Sequence, residues 1–217
     1  SVTADEGSRG ELGGIDADVI REVAEGACLD LVEKTTSPAA GVGDLESKRI
    51  DVLIGGIGYT PERAEAFGAS TPMYEQPMAL VSESGASTVD DLLAADGVGV
   101  VQGYRWQEDL QKLLGGKLKV YQSGEAMLND LKNGRVQVAT FDRGEAVFNA
   151  DKLNAGLKVE TIAGDERVAA SLEPAKVVIL YTKGNSSLGT AINESIDAMK
   201  QDGSIEQLLK GTGLETQ

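Results

Sequence analysis

The sequence predicts an α/β protein built from two lobes. Short runs rich in β-branched residues alternate with amphipathic segments that carry helix-capping residues, which is typical of an α/β fold. Segment 44–52 also returns at 130–138, with Asp, Leu, Arg, a β-branched residue and Val in the same register. The repeat indicates two lobes of similar build, although any helix that ends before a strand gives a comparable pattern. The length of 217 residues permits either one large domain or two small lobes.

The elements follow from local signals along the chain. Buried strands are predicted at four apolar runs, 51–54, 97–101, 136–140 and 177–180. Helices are predicted to begin after capping residues and to end at glycines; the starts are Thr60 (with Pro61 at the first helical position), Thr88, Ser123 and Ser187, and the ends are Gly134 and Gly203.

Composition excludes several functional classes. The net charge is −15, which makes nucleic acids and anionic membranes poor partners. There is no histidine, so a Ser-His-Asp or Cys-His catalytic set, a His-bearing zinc site and an imidazole base are all excluded. The single cysteine, Cys28, lies in an apolar stretch and is predicted to be a buried bystander thiol. No pair of carboxylates stands out as a general acid and base, so no catalytic residues are predicted.

Membrane and cofactor signals are missing. The longest apolar runs are far shorter than the roughly 20 residues of a membrane-spanning helix, so we predict no membrane insertion of this segment. No signal peptide opens the sequence; if the protein is exported, the sequence begins after the signal. Metal-ligand and phosphate-loop spacings are absent, and we predict neither a metal nor a cofactor.

The loop after the strand at 51–54 is the first candidate binding segment. Three glycines in 55–58, among them Gly56 and Gly58, allow close approach to the backbone and offer amide and carbonyl groups. Tyr59 supplies an aromatic surface. Arg63 lies on the first turn of the next helix, where its guanidinium can bind a carboxylate in a bidentate manner or pair with a surface acid.

The second candidate segment comprises two loops of the other lobe. Asp142 follows the strand at 136–140 and can bind an ammonium group, cap the next helix, or do both. Gly103, Tyr104 and Arg105 follow the strand at 97–101 and precede a helix, where backbone N–H groups form an anion seat. Trp106 serves either as a ligand wall or as a core residue.

Taken in order, these segments resemble the family 3 extracellular solute-binding proteins, the polar amino-acid receptors of ABC transporters. The opening Gly10-Glu11-Leu12-Gly13-Gly14-Ile15-Asp16-Ala17-Asp18-Val19 is similar to the family's G-x-L-x-G-F-D-V-D-L, with Ile15 in place of the aromatic residue. Further similarity lies in 45–63, 70–74, 97–103, 131–142 and 201–205.

The resemblance implies a two-lobed, type II periplasmic-binding-protein-like fold. Each lobe is expected to be a mainly parallel sheet flanked by helices, with lobe 1 at 1–82 plus 177–217 and lobe 2 at 83–176. Two crossing segments, near Val81 and Lys176, would act as the hinge of a "Venus flytrap". The expected function is capture of a small polar solute, most simply an amino acid, in the cleft between the lobes, by a monomer outside the cytoplasm, either periplasmic or lipid-anchored. Delivery to an ABC permease would follow.

Residue roles also follow from the resemblance. Arg63 would bind the ligand α-carboxylate together with amides of the Tyr104–Arg105 turn, and Asp142 would bind the α-ammonium group. Gly58 occupies the position that often carries a hydroxyl, and the family's N-terminal aromatic motif is missing from 2–7. Arg105 adds a cation that suits an acidic side chain or a second carboxylate.

Three alternatives remain open from the sequence. The ligand is a non-amino-acid anionic solute, the domain is the sensor of a receptor, or the chain is an enzyme related to the cyclohexadienyl dehydratases, which resemble these receptors.

Overall fold

The computed structural model describes residues 13–36, 38–153 and 156–214, which form two compact units. Unit 1 contains the described residues of 1–75 and 176–211, and unit 2 contains those of 76–175 and 212–216. The sequence motifs at 2–7 and 10–12 lie outside the described residues.

The helices of the described chain lie between and beside short strands. They are α1 (Ile15–Gly26), α2 (Pro38–Glu46), α3 (Pro61–Ala66), α4 (Val89–Ala94), α5 (Gln107–Leu114), α6 (Gly124–Lys132), α7 (Arg143–Leu153), α8 (Ser186–Gln201) and α9 (Ser204–Leu209). The strands are β1 (Val52–Leu53), β2 (Gly68–Ala69), β3 (Tyr74–Gln76), β4 (Met78–Ser82), β5 (Val98–Val101), β6 (Leu118–Tyr121), β7 (Val138–Asp142), β8 (Lys158–Thr161), β9 (Ala175–Val177) and β10 (Leu180–Tyr181). None of these helices is long and apolar enough to cross a membrane.

The unit boundaries differ in two places from the expected lobes. The first boundary lies at 75/76, ahead of Val81, because β4 hydrogen-bonds along its length to β7 and β8 of unit 2. Residues 212–214 belong to unit 2 instead of lobe 1, since Arg143 Nε donates to the carbonyl oxygen of Gly213 at 2.9 Å. The second boundary lies at 175/176.

Unit 1 contains the three-stranded sheet β1-β10-β2, in which both pairs are antiparallel. Its core includes Leu45, Ile50, Leu53, Phe67, Val178 and Leu180. Unit 2 contains the five-stranded sheet β6-β5-β7-β4-β8, with apolar clusters on both faces. In this sheet β6, β5 and β7 are parallel, whereas β4 pairs antiparallel with β7 and β8. β3 and β9 form a separate two-stranded sheet.

The antiparallel pairs have a common cause in the two units. β4 is the first strand of the five-stranded sheet after the chain enters unit 2, and β10 is the first strand of the three-stranded sheet after it returns to unit 1. Each of these entry strands, β4 and β10, lies between two other strands and is antiparallel to both. The described sheet of unit 1 is therefore antiparallel where a mainly parallel one was expected, because the entry strand is its central strand.

The repeat predicted from the sequence is confirmed in the structure. The Asp44 carboxylate accepts a hydrogen bond from Arg49 Nε at 2.8 Å, and Asp130 accepts one from Arg135 Nη1 at 2.7 Å. In both copies the backbone N–H of the arginine also donates to the backbone carbonyl oxygen of the aspartate, at 2.8 Å. The repeat thus reproduces a complete helix-to-strand turn, at α2–β1 and at α6–β7.

The turn requires a left-handed residue in each copy. Lys48 has φ 57° and Gly134 has φ 70°, and their N–H groups donate to the carbonyl oxygens of Leu45 and Leu131. Glycine adopts this conformation without strain, whereas lysine does not.

Most predicted helix caps are confirmed. The hydroxyls of Thr60, Thr88 and Ser123 accept hydrogen bonds from backbone N–H groups of α3, α4 and α6. The cap of α8 is Asn185 instead of Ser187, because the Asn185 side chain accepts from Leu188 N–H and the helix begins at Ser186.

Two other predictions are corrected. The apolar run 177–180 is not one strand; it is divided between β9 and β10. The N–H of Val178 donates to the carbonyl oxygen of Ile57, whereas the carbonyl oxygens of Val177 and Ile179 accept from backbone N–H groups of the segment 70–73. Cys28 is exposed and not buried. It follows the end of α1 with φ 52°, and this left-handed turn carries the side chain away from the apolar face of the helix.

Candidate functional site

In unit 1 a buried carboxylate organises the glycine-rich loop after β1. Asp16, on the first turn of α1, accepts hydrogen bonds at Oδ2 from the N–H groups of Gly55 (2.9 Å) and Gly56 (2.8 Å). Its Oδ1 accepts from the Tyr74 hydroxyl at 2.7 Å. Both glycines have positive φ, 122° and 67°. The Gly56 N–H, which the sequence offered as a ligand donor, is therefore bound to Asp16.

The same loop positions Arg63. The Thr60 hydroxyl caps α3 by accepting from Arg63 N–H, and Arg63 Nη1 donates to the carbonyl oxygen of Gly58 at 2.7 Å. Gly58 forms an antiparallel bridge with Val177. Tyr59 is exposed, with 47% of its surface accessible. The loop thus carries a guanidinium group and an exposed aromatic ring beside backbone that is fixed by hydrogen bonds.

In unit 2, three loops meet at one edge of the sheet. β6, β5 and β7 are parallel neighbours, so their carboxyl ends lie at the same edge, where open α/β sheets bind ligands. The turn 103–106 follows β5, the start of α6 follows β6, and Asp142 ends β7.

Tyr104 and Glu145 connect these loops. The Tyr104 hydroxyl donates to Glu145 Oε2. Burial raises the pKa of Tyr104, and the negative charges of Glu145 and Asp142 raise it further. Burial also raises the pKa of Glu145, against the opposing effect of the bond from Tyr104. A carboxyl group with a raised pKa at a sheet edge is a common feature of functional sites.

Trp106 is a core residue and not a ligand wall. It is fully buried, at 0% exposure, in the apolar cluster of unit 2. Its Nε1 donates to the Thr140 hydroxyl at 2.9 Å, and that hydroxyl donates to the carbonyl oxygen of Gly99 at 2.9 Å. The buried polar end of the indole is thus satisfied within the core, which explains why the ring faces inward.

The backbone and charge of the 103–106 turn are also used within unit 2. Gly103 N–H donates to Gln107 Oε1 at 2.8 Å. Arg105 Nη1 donates to the carbonyl oxygen of Glu173 at 3.4 Å, and its guanidinium carbon lies 5.7 Å from the centre of the Trp106 ring. Arg105 thus contacts the backbone of Glu173 and the ring of Trp106 within unit 2.

The order of these segments is shared with a known family. The model of the bacterial extracellular solute-binding proteins, family 3, matches residues 3–211. The chain belongs to this family. The resemblance stated from the sequence motifs is thus confirmed.

Relatives of this family 3 protein are similar over most of its length. It is 30% identical to the L-cystine-binding protein TcyJ of Escherichia coli, over 94% of this chain and 75% of the relative. It is 29% identical to a probable amino-acid ABC transporter-binding protein of Haemophilus influenzae, over 92% and 75%. Among solved structures, an ancestral arginine-binding protein bound to glutamine superposes with a TM-score of 0.80 at 27% identity, covering 95% of this chain and 89% of the other.

These comparisons decide several predictions about the family 3 protein. The structural match confirms the predicted α/β fold class. The family and the relatives are solute-binding proteins and not enzymes, as predicted. Within the described residues, no group of three or more His, Cys, Asp or Glu side chains is arranged to hold a metal ion.

Two residues of the site escaped the sequence analysis as functional groups. Asp16 had a detectable signal, because it lies three, four and seven residues before Val19, Ile20 and Val23, on the apolar face of α1. An acid on a buried helix face requires hydrogen-bond partners. Glu145 had no such signal, since it stands 41 residues from Tyr104, in the first turn of α7.

Proposed function

We propose that this protein binds an amino acid outside the cytoplasm and delivers it to an ABC permease. Membership of the extracellular solute-binding family carries the proposal. It is supported by relatives described as an L-cystine-binding protein and as an amino-acid ABC transporter-binding protein, and by the arginine-binding relative solved with glutamine and with arginine. The protein would act in the periplasm or anchored at the cell surface.

We assign the two charged ends of the ligand to one residue in each unit. Arg63, fixed at the start of α3 by Thr60 and Gly58, would bind the α-carboxylate through its planar guanidinium group. Asp142, at the end of β7 beside the Tyr104–Glu145 pair, would bind the α-ammonium group. Opposite charges on the two residues match the two charges of an amino acid.

Isothermal titration calorimetry of the purified protein against individual amino acids tests the proposal. We expect saturable binding of at least one of them, and a loss of about 30-fold or more in affinity in Arg63→Ala and in Asp142→Asn, because each change leaves a charged ligand group without its partner. Arg49→Ala and Asp96→Asn, at exposed positions, are the matched controls and should bind as the wild type does.

The variants separate the proposal from a different solute. If Asp142→Asn binds the wild-type ligand with unchanged affinity, that ligand has no ammonium group at this position. If only anionic solutes without an amino group bind, the amino-acid assignment is wrong and the solute-binding role alone is retained.

A further inference from the structure

Glu145 is a half-buried carboxyl group, and no ion pair joins it to the described residues of unit 2. Within the described part of the chain it accepts its one hydrogen bond from Tyr104, through Oε2, and it forms no ion pair. Burial of a carboxylate is costly unless a positive charge or several hydrogen bonds compensate it. A glutamine would accept the same hydrogen bond from the phenol without carrying a charge.

Packing confines the second oxygen of Glu145 to the edge where the three loops meet. A Cβ atom at Gly124, the first residue of α6, would lie 2.6 Å from Oε1, so this oxygen lies against the start of α6. Oε1 accepts no hydrogen bond from the described residues. The acceptor lone pairs of this oxygen are thus unused within the described residues.

Two groups near Glu145, Tyr104 and Asp142, present hydrogen-bond acceptors. The Tyr104 hydroxyl donates its hydrogen bond to Glu145, so the phenol oxygen can act only as an acceptor toward any other group. Asp142 lies close enough to Tyr104 to raise its pKa. We call Tyr104, Asp142 and Glu145 the acceptor cluster.

Arg105 follows Tyr104 in the sequence and Arg143 follows Asp142, and both arginines make hydrogen bonds to other groups of unit 2. Arg105 donates to the carbonyl oxygen of Glu173 and lies over Trp106. Arg143 donates to Gly213 and to the Thr161 hydroxyl. Both arginines thus make hydrogen bonds within unit 2.

We infer that Glu145 is a specificity-determining residue, which makes the site bind amino acids with a positively charged side chain more tightly than neutral or acidic ones. The inference rests on the proposed function, since it requires an amino acid at Asp142. Asp142 binds the ammonium group that all amino acids share, whereas Glu145 adds negative charge that only a second cationic group can use.

Calorimetric titrations with arginine, glutamine and glutamate test the inference. We expect the wild type to bind arginine at least tenfold more tightly than glutamate, with glutamine between them. Glu145→Gln keeps the shape and an acceptor for Tyr104 but removes the charge, and it should reduce the arginine-to-glutamate ratio about tenfold. Glu125→Gln, at an exposed position in the first turn of α6, is the matched control and should keep the wild-type ratio.

A pH series separates a charge effect from a structural one. The pKa of Glu145 is raised by burial, so the carboxyl group gains its charge above the usual range for glutamate. Its hydrogen-bond partner among the described residues is Tyr104, whose raised pKa keeps it neutral, and Asp142 lies near Tyr104. The preference for arginine over glutamine should therefore grow as the pH rises from 5 to 8 in the wild type and stay nearly constant in Glu145→Gln, because neither ligand changes its charge in this range.

Each outcome decides between the two proposals. If amino acids bind but glutamate binds as tightly as arginine, or if Glu145→Gln keeps the wild-type ratio and pH profile, the inference is wrong and the proposed function stands. If no amino acid binds, both are wrong. Should Glu145→Gln fail to fold, the wild-type ratio and its pH profile still decide the matter.

Discussion

Asp16 joins three parts of unit 1 through a single carboxylate. Its oxygens accept from the two glycine N–H groups of the loop after β1 and from the Tyr74 hydroxyl on β3. The side chain is buried, at 7% exposure, so water cannot replace these bonds at low cost. The geometry of the loop that precedes Arg63 therefore depends on an acid 39 residues away from Gly55.

Removal of this carboxylate should destabilise the protein markedly. We expect Asp16→Ala to lower the free energy of unfolding by about 3 kcal/mol, because three donors lose a charged acceptor in a buried setting. Tyr74→Phe removes one of the three bonds and should cost about 1 kcal/mol. Urea denaturation followed by circular dichroism measures both.

Asp18→Ala provides the comparison, since Asp18 lies on the same helix and makes a partly exposed ion pair with Arg21. Its expected loss is below about 1 kcal/mol. A loss in Asp16→Ala no larger than that of Asp18→Ala would contradict the proposed role of the carboxylate.

At the residue scale, sequence reasoning located charged groups better than it assigned their contacts. Arg63 and Asp142 stay predicted ligand contacts, which the sequence indicated because each follows a predicted strand at a turn. Trp106 was ambiguous, because an aromatic residue before a helix fits a core as well as a ligand wall, and the Thr140 hydroxyl that satisfies its indole lies 34 residues away. Long-range partners of this kind leave no local pattern.

At the element scale, the two copies of the repeat differ at their left-handed residue, Lys48 in one and Gly134 in the other. We expect Lys48→Gly to stabilise the protein by about 0.5–1 kcal/mol and Gly134→Ala to destabilise it by about 1 kcal/mol, because a Cβ atom strains this conformation. No atom lies within 4 Å of a Cβ at Gly134, so the loss would report the backbone alone. Thermal and urea denaturation measure both changes.

Gly116→Ala is the control for this pair, since its site is equally open and its φ is not positive. It should leave the unfolding free energy within about 0.5 kcal/mol of the wild type. If Gly134→Ala and Gly116→Ala behaved alike, backbone strain would not explain the choice of glycine.

The elements that the sequence predicted best have local causes. Caps at Thr60, Thr88 and Ser123 depend on residues three positions apart, and they were found. Strand direction was not predicted correctly for unit 1, because alternation of apolar residues is the same in parallel and antiparallel strands. The central position of β10 depends on the path of the whole chain.

At the scale of the whole molecule, the free energy of unfolding should decrease in acid because several aspartates are paired with arginine or lysine side chains. Hydrogen bonds from Arg167 lower the pKa of Asp165 to about 2, and Lys34 and Arg49 lower the pKa of Asp44. A folded-state pKa below the unfolded value of about 3.9 stabilises the protein above that value, and the contribution is lost as the pH falls toward the folded pKa. The window is therefore pH 4 to 2 for Asp165.

The variant Arg167→Gln tests this window. Its urea midpoint should lie below that of the wild type at pH 7, and the difference should shrink at pH 2, where Asp165 is about half protonated in the folded state and almost fully protonated in the unfolded state. Lys112→Gln, which removes a long and exposed ion pair, should show no pH-dependent difference. A constant difference for Arg167→Gln at both pH values would contradict the assignment.

The overall architecture was predictable because several modest motifs occur in a fixed order along the chain. Exact boundaries were not, since they depend on which strands β4 pairs with and on the contacts of residues 212–214. Both are properties of the assembled sheet and not of any short segment.

The continuity of unit 2 has a consequence for the order of folding. Almost all of unit 2 is one stretch, 76–175, whereas unit 1 must join two stretches separated by about one hundred residues. Closing a loop of that length costs about 4 kcal/mol of chain entropy, and a folded unit 2 removes most of that cost by shortening the loop in advance. Pulse-labelling hydrogen exchange during refolding should therefore show protection of β5 and β7 amides before those of β1 and β10. The intermediate would hold Asp142 in place before Arg63, so the protein would acquire its proposed site for the ammonium group first.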